Sequence, residues 1–256
     1  MEDITLDIKI DVTDIIVAGT GATGSNFIPF LTQLANNLDK SINITFVDGD
    51  KFESKNKRNQ KCLDIDIGKS KVEVLASRYS KVYPNLDIRY KDEYLYTKSD
   101  VKSLLIGNSR YYYRTCYIPI LIGTVDNNST RQLLHEVFYD NYLKDVIYID
   151  SGNGTEDMMG QVIIGLKKDG KVILPPVGDV FPSILEDNDK IENEVGCAAT
   201  QDEHPQNIAT NILAATTLFT IINKLLSFNE IDKHKIFFDA RDVRMSPKSI
   251  NRQIIN

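Results

Sequence analysis

Residues 14–50 read DIIVAGTGATGSNFIPFLTQLANNLDKSINITFVDGD. An apolar run of Ile15, Ile16, Val17 and Ala18 enters Gly19-x-Gly21-x-x-Gly24. An amphipathic stretch follows, then a second apolar run that ends at Asp48. That order predicts strand, glycine turn, helix and strand, the unit that holds a nucleotide at the amino end of a helix. Gly19 permits the tight turn, Gly21 lets backbone N–H groups approach a phosphate, and Gly24 lets the helix pack close to the strand. The positive end of the helix, at Ala22 and Thr23, then faces the phosphate charge. Asp48 closes the second strand, where an acid accepts hydrogen bonds from a ribose. The competing reading is that the glycines serve close packing alone.

The 256-residue chain is long enough to bury a full core and suits one α/β domain. Hydrophobic residues make up 42% and charged residues 26%, ordinary values for a globular protein. A net charge of −6 argues against a general nucleic-acid binder, which needs a basic face. The acidic start MEDITLDIKI does not read as a signal peptide, and no run approaches the roughly 20 apolar residues of a bilayer span. Cys62, Cys116 and Cys197 are odd in number and widely spaced, which suggests neither a disulfide framework nor a structural zinc site. The expectation is a reduced, cytoplasmic protein with no membrane partner.

Along the chain, residues 1–12 suggest an edge strand or an arm. Residues 51–68 form a long polar connection of the kind that tends to be functional. Apolar spacing predicts a helix over 69–83, ended by Pro84, then a short strand at 86–89 and a short helix at 100–106. Tyr111, Tyr112 and Tyr113 read as a loop. Strands are expected at 119–124, 146–150, 161–166 and 172–174, with a helix over 129–139 after the first of them. Residues 175–204 look like an extended crossover. A long helix, apolar on two sides and so expected to be buried, runs from Pro205 to about 227. Strands at 235–240 and 243–245 pair in the tail. The fold class is therefore α/β: a Rossmann-like, doubly wound, mostly parallel sheet with an antiparallel C-terminal extension. We read a single domain over 1–256, its nucleotide core at about 13–166 and its extension at about 167–256.

Ligands of such sheets bind outside the carboxyl ends of the strands. This convergence brings Asp48, Asp50, Asn56, Arg58, Gln60, Lys69, Lys71 and Asp126 towards one crevice. The mixture suits a nucleoside triphosphate: cations offset phosphate charge and an aspartate holds Mg²⁺. Taken singly, each of these charges also fits a solvated surface residue.

The run VDGDKFESKNKRNQ, followed by DIGKSKVEVLASRYSKVYPNLDI, resembles the signature of the ThiF/MoeB and ubiquitin-activating-enzyme superfamily. Its pattern is D-x-D-x-V/F-x-x-S-N-L-x-R-Q, then D-I-G-x-x-K, then N-P. TVDNNSTRQLL resembles the superfamily's aspartate-asparagine turn, with an arginine five residues after the aspartate. The resemblance implies a ThiF-like adenylation fold and an enzyme that forms an acyl-adenylate from MgATP and the C-terminal carboxylate of a small ubiquitin-like or sulfur-carrier-like protein or peptide. It implies that Gly19, Gly21 and Gly24 hold the nucleotide and Asp48 the ribose. Asn56 and Gln60 would line the phosphate site with Asp50 and Asn127 beside them, Lys71 would be the catalytic lysine, and Asp126 would bind Mg²⁺. It also implies a homodimer.

Two departures stand out. Asn59 occupies the position where the family has arginine, and Arg58 lies one residue earlier; residues 1–13 hold no arginine for a partner's site. A nucleotide-binding scaffold of impaired activity therefore stays open beside the enzyme, as does an NAD(P)-dependent oxidoreductase, which leaves Lys71 and Asp126 without a role. YIDSGNGTEDMMGQVIIG, LPPVGDVFP and GCAATQDEHPQNIATNILAATTLF are similar to the ThiF-like proteins of bacterial PRTRC gene clusters. Cys197 sits where superfamily members carry a thioester-forming cysteine, with His204 nearby to lower its pKa. Its other reading is a small buried residue before the last helix. Cys62 and Cys116 read as packing or surface thiols.

Overall fold

Val12–Ala18 is buried along its whole length and pairs in parallel with a strand on each side, so an unbroken apolar run becomes the centre of a sheet. The computed structural model describes residues 3–105, 116–154, 158–187 and 206–255. In chain order the elements are β1 (Leu6–Asp7), β2 (Val12–Ala18), α1 (Ala22–Asn36), β3 (Ser41–Val47), α2 (Lys71–Val82), β4 (Asp87–Lys91) and α3 (Lys98–Ser103). Then come β5 (Ile120–Gly123), α4 (Asn128–Phe138), β6 (Val146–Asn153), β7 (Met159–Lys168), β8 (Lys171–Leu174), α5 (Val177–Val180) and α6 (Ser183–Glu186). The chain closes with α7 (Ile208–Phe228), β9 (Glu230–Ile231), β10 (Lys233–Asp239), β11 (Arg244–Ser249) and α8 (Arg252–Ile255).

Among the described residues the main sheet runs β11-β10-β7-β6-β5-β2-β3-β4, with β8 beside β7. The stretch from β6 to β4 is parallel; β7, β8, β10 and β11 are antiparallel. The chain goes from β2 outward to β3 and β4, then returns to place β5 on the other flank of β2. The order reverses between β2 and β5, and the crevice at their carboxyl ends is the binding position of such sheets. Alternation along β2 assigns the faces. Ile15 and Val17 join a core with Phe27 and Leu31 of α1, Leu75 of α2 and Leu218 and Ile222 of α7. Ile16 and Ala18 join a second core with Val101 of α3 and Leu133, Leu134 and Val137 of α4.

The sequence reading requires four adjustments. The tail strands are longer than expected, and β10 joins the main sheet through β7 rather than only pairing with β11. The N-terminal arm is a two-residue strand paired with β9. The crossover starts with two short helices, α5 and α6, and residues 188–205 lie outside the described residues, as do Tyr111, Tyr112 and Tyr113. Finally, α7 is buried on one side only: Ala214, Leu218 and Leu225 face the core, while Ile208, Ile212 and Thr216 are exposed. By length and composition α7 could cross a membrane, contrary to the sequence reading; here it packs on α1, β6 and β7.

Candidate active site

The three glycines of the turn meet different constraints. Gly19 has φ +88°, and a Cβ there would lie 2.8 Å from the Thr124 carbonyl oxygen. A Cβ on Gly24 would sit 2.1 Å from the Gly19 carbonyl oxygen and 2.9 Å from Thr124 Oγ1. The close packing expected of Gly24 is thus against the turn itself. Thr124, just past β5, fixes that turn by donating to Gly19 O at 2.6 Å. Gly21 has nothing within 4 Å of a built Cβ; it faces a cavity of about 500 Å³. The first-turn N–H groups of α1 have no intrahelical acceptor, and Gly21, Ala22 and Thr23 line the same cavity.

At the end of β3, Asp48 is almost fully buried. Its Oδ2 accepts from Thr20 N at 2.7 Å and Thr20 Oγ1 at 2.9 Å, and its Oδ1 accepts from Asp50 N at 3.0 Å. Burial raises its pKa despite the nearby Lys71 charge. Lys71 opens α2 behind the Ser70 cap, and its side chain is only 7% exposed. Its Nζ donates to Asp50 Oδ2 at 2.6 Å. Burial opposes the ammonium, but the charges of Asp48, Asp50 and Asp126 outweigh it and hold the lysine protonated. Asp50 is pushed up by burial and pulled down further by Lys71, so it stays ionised. The other Asp50 oxygen accepts from the Tyr94 hydroxyl. Gly49 makes room for that tyrosine, since a Cβ there would lie 2.7 Å from its ring. The expected nucleotide-binding Asp50 is therefore first a partner of the lysine.

The polar connection folds as a 3-10 helix, Ser54–Arg58, over the cavity. Asn56 is buried, and its Oδ1 accepts from Glu53 N at 2.8 Å. Asn26 of α1 donates to the Ala22 and Asn59 carbonyls at 2.7 and 2.9 Å, tying the loop to the glycine turn. Asn59 thus contributes its carbonyl to the tie, and Arg58 lies at the cavity wall. Gln60 Oε1 is buried there without a hydrogen-bond partner. An orphaned acceptor in the same cavity as Asp48 and the glycine turn fits a hydroxyl-bearing ligand.

Asp126 and Asn127 follow β5 at the opposite wall. The Asn127 side chain caps α4 by accepting from Thr130 N at 2.9 Å. Asp126 lies near enough to raise the Lys71 pKa. Among the described residues no cluster of three metal-ligating side chains occurs. One carboxylate suits Mg²⁺ only where phosphates and water supply its other ligands. Arg131 donates to Val125 O at 2.7 Å and pairs with Asp150 at 3.2 Å, bracing the Asp126 loop against β6. Asp150 is 1% exposed and also accepts from Tyr148 at 3.1 Å.

The structure thus gathers Gly19, Gly21, Ala22, Thr23, Asp48, Asp50, Asn56, Arg58, Gln60, Lys71, Asp126 and Asn127 around one cavity, with Gly24 packed behind it. Cys197 and His204 lie outside the described residues. Cys62 is buried and Cys116 exposed. Sequence reasoning missed Thr20, Tyr94, Ser151 and Asn153. No local signal in the sequence marks them.

Three solved structures illustrate what the fold is similar to. PaaA aligns with a TM-score of 0.60 at 15% identity, covering 93% of this chain and 64% of its own. E. coli MccB with ATP gives 0.59 and 15%, covering 93% and 63%. The microcin C7 biosynthetic enzyme MccB in complex with N-formylated MccA gives 0.56 and 13%, covering 93% and 65%. The chain therefore spans under two thirds of those proteins, and at such identities the likeness establishes the fold. A search of curated proteins finds no match. The ThiF family matches residues 7–253, nearly the whole sequence, and the chain belongs to that family.

Proposed function

We propose that this chain uses MgATP to adenylate a carboxylate at the end of a peptide or of a small ubiquitin-like or sulfur-carrier-like protein. One observation carries the reading. A protonated Lys71, clamped by Asp50 beside Asp48, and the open first turn of α1 share one cavity with Asp126. The structures of MccB with ATP and with MccA support an ATP and peptide chemistry for this fold.

In the proposed reaction a carboxylate oxygen forms a bond to the α-phosphorus, and the bond to the bridging oxygen of pyrophosphate breaks. Two anions approach and a third departs. Lys71, Arg58 and the α1 amides offset that charge. Asp126 would hold Mg²⁺, which supplies further neutralisation at the phosphates. Asp48 and Gln60 orient the ribose.

Calorimetry of ATP with Mg²⁺ and with EDTA, on wild type and Asp126→Asn, tests the binding half. Binding should require Mg²⁺ and weaken about tenfold in the variant, roughly 1.4 kcal/mol; equal binding in all four cases contradicts the reading. Hydroxylamine trapping with carriers encoded beside the gene tests the chemical half. Transfer to Cys197 would follow as a thioester, absent in Cys197→Ser. The second reading is a scaffold that binds ATP without turnover. Asn59 favours it, because its side chain brings no guanidinium to the cavity wall at the position where the family has arginine. Bound ATP with neither AMP nor pyrophosphate formed would select it.

A further inference from the structure

The 3-10 helix Ser54–Arg58 carries three cations, Lys55, Lys57 and Arg58, and its geometry sorts them. With three residues per turn, side chains at i and i+3 stand one above the other, so Lys55 and Arg58 share a face. Both line the nucleotide cavity, whereas Lys57 does not and instead bonds the exposed Asp64. Lys55 is one-third exposed, pairs at 3.4 Å with Glu53, and lends charge that keeps Asp50 ionised.

The backbone beneath these side chains is fixed at both ends. At the start Glu53 N donates to Asn56 Oδ1 at 2.8 Å within a capping box. Past the end Gln60 N donates to the Asn56 carbonyl at 2.8 Å. Asn26 Nδ2 donates to Asn59 O at 2.9 Å and Lys61 N to Ser25 Oγ at 3.2 Å, so two residues of α1 hold the helix against the glycine turn. The shared face thus opens on the same cavity as the first turn of α1, from the wall opposite Asp126. The other two cations lining that cavity already answer to carboxylates, Lys71 to Asp50 and Arg131 to Asp150. Each phosphate beyond the first adds negative charge that those two do not match.

Resting on the nucleotide half of the proposed function, we propose that Lys55 and Arg58 form a two-cation clamp on the outer phosphates of a nucleoside triphosphate. Lys55 supplies the charge for which Asn59 has no guanidinium. Lysine acts there as a point charge on a flexible stem, and arginine adds a planar fork of donors. The clamp therefore selects for the triphosphate over the monophosphate.

Calorimetry with MgATP and with AMP, at fixed ionic strength, tests this on wild type, Lys55→Ala, Arg58→Ala and Lys57→Ala. The ratio of the two affinities should fall at least tenfold in Lys55→Ala and in Arg58→Ala. It should stay within about twofold of wild type in Lys57→Ala, which removes the same charge from the face turned away from the cavity. Asn59→Arg added to Lys55→Ala should bring the ratio back to within about threefold of wild type. A ratio that survives either cavity-facing change, or falls as far in Lys57→Ala, overturns the clamp and leaves the nucleotide site standing. Failure of the Asn59→Arg rescue overturns the claim that Lys55 replaces the missing guanidinium. No binding of MgATP by the wild type overturns the nucleotide reading, and this inference with it.

Discussion

Gly24→Ala and Gly21→Ala alter the same turn, yet the structure predicts opposite consequences. A Cβ at position 24 lands 2.1 Å from the Gly19 carbonyl oxygen, where carbon–oxygen contacts normally begin near about 3.3 Å. Backbone must therefore move by about 1 Å, and the 2.6 Å bond from Thr124 Oγ1 to that carbonyl goes with it. Overpacking costs about 1–3 kcal/mol and the lost hydrogen bond about 1, so Gly24→Ala should destabilise by about 3 kcal/mol. At position 21 the added methyl meets no protein atom, and an alanine at a helix N-cap costs under about 1 kcal/mol. It does occupy the cavity, and ATP binding should fall at least tenfold. Urea titration reads the first effect as a midpoint drop of about 1.5 M at a slope of about 2 kcal/mol/M; calorimetry reads the second. A Gly24→Ala loss below about 1 kcal/mol, or a Gly21→Ala protein that binds ATP normally, would refute the assignment of these glycines.

Removing Lys71 strands two carboxylates. Breaking a buried pair costs about 3–5 kcal/mol, and because Asp50 is 47% exposed we expect about 2 for Lys71→Ala at pH 7. The sign follows from linkage: Asp50 sits below its ordinary 3.8, so its contribution is present above that value and lost as pH falls through the lower one. Without Lys71 the largest influence that lowers each carboxyl is lost and both rise, so the variant's deficit should shrink from pH 7 towards pH 4. Denaturation curves with a pH-independent deficit would assign the loss to packing instead. Arg131→Met leaves Asp150 buried and unpaired, a loss of about 3–5 kcal/mol, and Asp150→Asn in the same chain should recover at least half of it; thermal melts of the three variants decide. Thr20→Val removes a buried donor to Asp48 and should cost about 2 kcal/mol in urea titration, with weaker ATP binding.

Much of the site was legible because its local grammar is strict. A buried strand, a glycine turn and a helix are adjacent in sequence, and Asp48, Lys71 and Asp126 each lie at or just beyond an element end, where a parallel sheet gathers its ligands. What stayed hidden is tertiary. Lys71 and Asp50 are 21 residues apart, and Tyr94 reaches Asp50 from beyond β4; side-chain pairing across elements leaves no periodic trace. Asn59 acts through its carbonyl, which carries no residue identity at all. The long β6 and the insertion of β10 beside β7 depend on partners distant in the chain, so local alternation set neither their lengths nor their places.

The most direct test of adenylation is exchange of labelled pyrophosphate into ATP, with Mg²⁺ and a carrier or peptide substrate, by wild type and Lys71→Ala. The account predicts substrate-dependent exchange that falls 100-fold or more in the variant, about 2.7 kcal/mol of transition-state stabilisation. Exchange at the wild-type rate in Lys71→Ala, or no exchange with any substrate by a protein that binds MgATP, would contradict it.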